Sequence, residues 1–152
     1  MKGSDISMPR YRRIPQDAWT QARFVLLRYP ESKEQYAEML ELATTRDPER
    51  KGNGPKPAHA DPTQTAAIRL MDLEDSPRFK RIAREVKAVE DAMRELDQSE
   101  VAVIRQRFWV HREGVRTPMP YEFMNAAGYS ERQMHRICQR VIRALAINLG
   151  EL

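Results

Sequence analysis

A set of arginines near the end of the chain recurs at the spacing of an α-helix. Such a helix turns by about 100° per residue, so residues three, four and seven apart share a face. Guanidinium groups bind phosphate oxygens and the O6 and N7 atoms of guanine, and glutamine amides pair with adenine. This face could therefore contact nucleic acid, although an ordinary solvated helix surface shows the same spacing. The residues are Arg132, Arg136, Arg140 and Arg143, with His135 and Gln139 beside them.

The opposite face of the same stretch is apolar and predicts a helix that packs on a core. Ser130 is a suitable N-cap, and Gly128 can adopt the positive φ that a tight turn between helices requires. A short apolar helical pattern runs from Pro120 into Gly128, so the whole segment predicts a helix-turn-helix. The apolar positions lie within roughly 60° of Met134: Met134, Ile137, Cys138, Val141, Leu145 and Leu149.

Two further helices are predicted upstream of this motif. Asp97 and Glu100 have the spacing of a capping box, and the helix that they open would bury Val101, Ile104, Phe108 and Trp109 on one side. The helix before it carries a near-heptad apolar seam, which could pack within the domain or against a second copy of the chain. Internal packing is favoured because the seam is short. Its positions are Phe79, Ile82, Val86, Val89, Met93 and Leu96.

The N-terminal part of the chain predicts a helical hairpin. One helix follows Pro15 and a second follows Pro30. For the aromatic Trp19, core packing is favoured over a role in stacking on bases. Residues 47–62 are rich in proline and glycine, which predicts a linker. No stretch alternates as a strand does, so the fold is expected to be all-α. The expected divisions are a basic arm and hairpin over 1–46, the linker over 47–62 and a helix-turn-helix domain over 63–152.

Composition narrows the classes of protein that fit. The 152 residues carry a net charge of +4, which favours a polyanionic partner without requiring one. A single cysteine excludes an internal disulfide and suits a reducing compartment, and no apolar run is long enough for a membrane span. We therefore expect a cytoplasmic protein without a membrane partner. The histidines are scattered, so neither a metal site, a cofactor site nor an enzyme is predicted.

Two segments carry a family resemblance. Residues 96–109 (LDQSEVAVIRQRFW) resemble the sigma factor region-four helix that precedes the helix-turn-helix, and residues 128–137 (GYSERQMHRI) resemble that domain's turn and recognition helix. Together with the long preceding helix, they resemble the phage late-gene regulators of the RinA and ArpU families. The resemblance covers roughly residues 79–150. Two departures are Met124, where such motifs usually hold a small residue, and a long connection over residues 110–120.

The resemblance implies a sequence-specific activator of packaging, morphogenesis or lysis genes that binds double-stranded DNA and contacts host RNA polymerase. Arg132, Gln133 and Arg136 are expected at base edges, and Arg140 and Arg143 at phosphates. One alternative is the small DNA-recognition subunit of a phage packaging terminase, and another is a helical interaction protein without nucleic acid. The expected DNA-binding residues are Ser130, Glu131, Arg132, Gln133, His135, Arg136, Gln139, Arg140 and Arg143.

Overall fold

The structure, a computed structural model, describes residues 14–44, 62–110, 117–125 and 128–150. Within these ranges the regular structure is helical and no strand occurs, which confirms the all-α prediction. The N-terminal basic arm before residue 14 and nearly all of the predicted linker lie outside the described residues. The α-helices are α1 (Gln16–Leu27), α2 (Tyr29–Thr44), α3 (Pro62–Asp75), α4 (Pro77–Met93), α5 (Gln98–Ile104) and α6 (Glu131–Asn148).

The chain forms two compact units. A terminal unit combines Met1–Leu27 with Ala88–Leu152, and a central unit comprises Arg28–Lys87. These units differ from the expected chain divisions, because α1 packs on α6 and the unit boundary falls inside α4. Composition marks a proline-rich segment, but it does not indicate which apolar faces pack together. The hairpin expected of α1 and α2 stays a prediction, because α1 belongs to the terminal unit and α2 belongs to the central unit.

Helix α6 supplies the largest share of the terminal unit's core. All six positions of the predicted apolar stripe are buried, and Ile142 and Ala146 are buried beside them. Helix α1 packs on α6, and four small or aliphatic residues of α1 are buried. These residues are Ala18, Ala22, Val25 and Leu26.

Helix α5 begins at the predicted capping box and continues as a π-helical turn over Arg105–Trp109. The Asp97 carboxylate accepts from the Glu100 amide at 2.9 Å, and the Glu100 carboxylate accepts from the Asp97 amide at 3.2 Å. Phe108 is buried as expected, and Trp109 donates from Nε1 to the Leu26 carbonyl at 2.8 Å. The helix thereby joins α1 to the terminal unit's core.

The segment before Gly128 is not the helix that its apolar pattern suggests. Only Tyr121–Phe123 forms a single turn of 3-10 helix, and Met124 has extended backbone angles, φ −83° and ψ 140°. Two backbone donors of this segment bond to the π-helical turn that follows α5. The Met119 amide donates to the Arg107 carbonyl at 2.8 Å, and the Asn125 amide donates to Gln106 Oε1 at 3.1 Å. The helix-turn-helix as a whole stays a prediction, since residues 126–127 lie outside the described ranges.

The central unit contains α2, α3 and most of α4. Tyr36 stacks on Phe79 with ring centroids 5.4 Å apart, and Arg28 forms an ion pair of 2.5 Å with the buried Glu85. Phe79, Ile82 and Val86 of the predicted seam are buried within the chain, as expected for internal packing. No helix among the described residues is long and apolar enough to cross a membrane.

Candidate nucleic-acid interface

The N-terminus of α6 is fixed by a second capping box. Ser130 Oγ accepts from the Gln133 amide at 3.2 Å, and Gln133 Oε1 accepts from the Ser130 amide at 2.8 Å. Gly128 has a φ of 91°, in the region that favours glycine, as the turn required. The predicted N-cap at Ser130 and the predicted positive φ at Gly128 are confirmed. The box sets where the exposed face of α6 begins.

The capping box changes the expectation for Gln133. Two-point pairing with adenine needs the carbonyl and the amide of the same side chain. The Gln133 carbonyl already accepts from the helix cap, so pairing in that way would break the cap. The structure therefore gives Gln133 a structural role, which its spacing from Ser130 could have indicated.

The turn before α6 is joined to the beginning of α5. The Tyr129 hydroxyl hydrogen-bonds with Ser99 Oγ at 2.8 Å, and Ser99 Oγ donates to the Asp97 carboxylate at 2.6 Å. The Ser99 hydroxyl and the Glu100 amide lower the pKa of Asp97, so its carboxylate stays ionised and accepts both bonds. This chain of contacts holds the start of α6 against the start of α5.

Arg140 contributes a second link between α6 and α5. Its guanidinium forms an ion pair with the Glu100 carboxylate, whose side chain is 17% exposed, whereas the Arg140 side chain is 59% exposed. The carboxylate accepts simultaneously from the Asp97 amide. Arg140 was expected at a phosphate, and a phosphate would have to compete with Glu100 for it.

His135 is held by the 3-10 turn. Its Nδ1 lies 3.1 Å from the Tyr121 hydroxyl, and the two rings meet edge to face. The Arg107 guanidinium lies over the Tyr121 ring, 3.9 Å from the ring centroid. Burial raises the pKa of Tyr121 to about 12 and also raises the pKa of the nearby Cys138 thiol. Both groups are therefore neutral near pH 7, and the cluster positions the His135 ring.

A basic groove of about 940 Å³ lies between α1 and α6 in the terminal unit. Its lining contributes four guanidinium groups, two amides and an indole. Among the described residues that line it, none is acidic. We refer to it as the α1–α6 groove. It is lined by Ile14, Pro15, Gln16, Trp19 and Arg23 from α1 and the residues before it, and by Arg136, Gln139, Arg140 and Arg143 from α6.

The groove brings together part of the predicted set and adds residues that the sequence did not indicate. Glu131, Arg132 and His135 are exposed but do not line it. Arg23 of α1 is not among the predicted binding residues, and Trp19, expected in the core, is half-buried and lines the groove. Their spacing of four residues places them on one helix face, but only the packing of α1 on α6 shows that this face meets the arginines.

Comparisons with protein-family models, with curated proteins and with solved structures find no match to this chain. In the described part of the chain, no three metal-ligating side chains are grouped. A functional assignment therefore depends on the chemistry of the exposed α6 face and of the α1–α6 groove.

Proposed function

We propose that this protein is a sequence-specific regulator of transcription that binds double-stranded DNA through α6. One observation carries the proposal: α6 exposes an arginine face whose opposite side is fully packed in the core. Arg132, Arg136 and Arg140 are exposed on that face, and Met134, Ile137 and Val141 are buried behind it. Packing in this way fixes the backbone positions from which the arginine side chains extend.

The dimensions of α6 fit the major groove of B-DNA. A helix with its side chains is about 10–12 Å wide, and the major groove is about 12 Å wide. The 18 residues of α6 extend for roughly 27 Å. Within the part of the chain that the structure describes, no ion pair involves Arg132 or Arg136. These guanidinium groups are therefore available to bases or phosphates without breaking a native contact.

The first test is selection of bound sequences from a random duplex pool, followed by binding of the Arg132→Ala variant to the selected site. We expect a loss of about 1–3 kcal/mol and a relaxed preference at one base position. Arg81→Ala is the matched control, because Arg81 is an exposed arginine of the central unit. Binding that selects no sequence, or that shows no dependence on salt, would contradict the proposal.

The finer assignment, activation of phage late genes with host RNA polymerase as a partner, rests on the sequence resemblance. It predicts that the selected motif lies upstream of structural or lysis genes. Sedimentation separates this function from DNA packaging, since a small terminase subunit works as a large ring. A monomer or a dimer with a promoter-like motif favours regulation, and a ring favours packaging.

A further inference from the structure

We propose that the α1–α6 groove binds the sugar-phosphate backbone of one strand of duplex DNA, so that α1 is part of the DNA interface. This inference rests on the proposed function and divides the contacts along α6. Arg136 and Arg143 contact phosphates inside the groove, together with Arg23 of α1. Arg132, one turn before the groove, contacts bases.

Charge is the first argument. Guanidinium groups from two separate helices, Arg23 on one side and Arg136 and Arg143 on the other, line a single concave surface. Like charges placed close together repel one another, whereas an anion bound between them is attracted to each of them. Among the described residues no ion pair involves Arg23 or Arg136. The groove therefore favours a polyanion whose phosphates are spaced along it.

The combined width of α1 and α6 supports the same position for the strand. Packed helices have axes about 8–10 Å apart, so α1 and α6 together are wider than the roughly 12 Å major groove. Helix α1 lies beside the part of α6 that contains Arg136, Gln139 and Arg143. Only the first turns of α6, with Arg132, can then enter the major groove of the DNA deeply. The strand that borders the major groove must pass alongside α1, at the position of the α1–α6 groove.

The remaining lining groups suit a nucleotide strand. Trp19 offers a half-buried ring against which a deoxyribose can pack, and Gln16 and Gln139 offer amides that donate to phosphate oxygens. A volume of about 940 Å³ exceeds what a single phosphate fills and accommodates a length of backbone. None of these groups requires a particular base. The groove therefore adds affinity without adding sequence preference.

The decisive variant is Arg23→Ala, measured on the selected duplex and on a scrambled duplex at two salt concentrations. Each phosphate contact releases about 0.9 counterion when DNA binds. Loss of one contact should therefore reduce, by roughly threefold, the factor by which affinity falls between 50 and 200 mM salt. We expect the same reduction on both duplexes, with base preference unchanged. Arg23→Lys keeps the charge and should retain most of the binding, and Arg81→Ala should match the parent protein. Arg23→Ala that behaves as Arg81→Ala does would overturn the groove assignment.

Tryptophan fluorescence locates the ligand directly. Duplex binding should change the emission of the parent protein, and Trp19→Phe should abolish that change while Trp109 still emits. Emission that changes equally in Trp19→Phe would contradict occupancy of the groove. A parent protein that binds no duplex overturns the proposed function together with this inference, whereas sequence-selective binding unaffected by Arg23→Ala overturns this inference alone. A free nucleoside triphosphate is tested as an alternative ligand. If it binds and duplex DNA does not, the assignment of the groove is overturned.

Discussion

Two neighbouring segments of the terminal unit, residues 117–125 and α6, obtain their conformations in different ways. Helix α6 pairs its own backbone groups, begins at its own capping box and buries one complete face. Residues 117–125 form a single 3-10 turn, and backbone amides at both ends of the segment donate to the π-helical turn that follows α5. The conformation of residues 117–125 is determined by contacts with neighbouring elements, whereas the conformation of α6 is determined by its own residues.

This difference indicates which part of the candidate interface is rigid. The apolar face of α6 is packed in the core, so the backbone positions of its arginines stay fixed when the rest of the surface changes. His135 is different, because its position depends on Tyr121 in the weakly self-supporting segment. Local rearrangement of that segment would move His135 and leave Arg132 and Arg136 in place. Fixed geometry at the arginines is what sequence readout requires.

The largest effect that tests this comparison is expected from Leu145→Ala in α6. Leu145 is fully buried, so the truncation leaves a cavity and should lower the free energy of unfolding by about 2–5 kcal/mol. Phe123→Ala is the control in the other segment, because 65% of that side chain is exposed and its loss should cost well under about 1 kcal/mol. Urea unfolding followed by circular dichroism measures both. Equal losses would show that residues 117–125 are as strongly packed as α6.

A smaller effect is expected from Ser130→Ala at the start of α6. Loss of the cap should lower the free energy of unfolding by about 1 kcal/mol, because the Gln133 amide loses its acceptor. Ser130→Asp supplies another acceptor and should restore most of that stability. DNA affinity of the Asp variant separates the two roles of this position. Restored stability with restored affinity indicates a cap alone, and restored stability with weakened binding indicates a direct DNA contact or repulsion of phosphate.

The sequence was sufficient to predict the elements that local residue patterns specify. The apolar stripe from Met134 to Leu149 and the Asp97 capping box are local patterns, and the structure reproduces both. The exposed arginine face follows from the same periodicity. Each of these predictions needed only the geometry of one helix.

Predictions failed or fell short where the outcome depends on packing between distant segments. Nothing within residues 117–125 indicates that the Asn125 amide will bond to Gln106, and the apolar pattern there predicts a helix that does not form. Likewise, nothing in α1 alone indicates that Arg23 will face the arginines of α6. The α1–α6 groove joins segments more than a hundred residues apart, and the pattern within each segment does not reveal such a pairing.

The smallest effect at neutral pH is expected from Tyr121→Phe, which removes the hydroxyl and keeps the ring against Arg107. Burial raises the pKa of Tyr121 to about 12 in the folded protein, above the ordinary value of 10.0. Below pH 10 the hydroxyl is protonated in both states and contributes no pH dependence. Between pH 10 and 12 the unfolded chain ionises first, so stability falls as pH rises through this window.

Unfolding measured across that window should therefore show a steeper loss of stability in the parent protein than in Tyr121→Phe. The ultraviolet absorbance of tyrosinate follows the same group directly, and one late-titrating tyrosine should be missing from the variant's curve. Identical curves would place Tyr121 in solvent and would remove the support for His135. In that case residues 117–125 would be free to rearrange, and the arginines of α6 would be the fixed part of the interface, because their support comes from the core rather than from this segment.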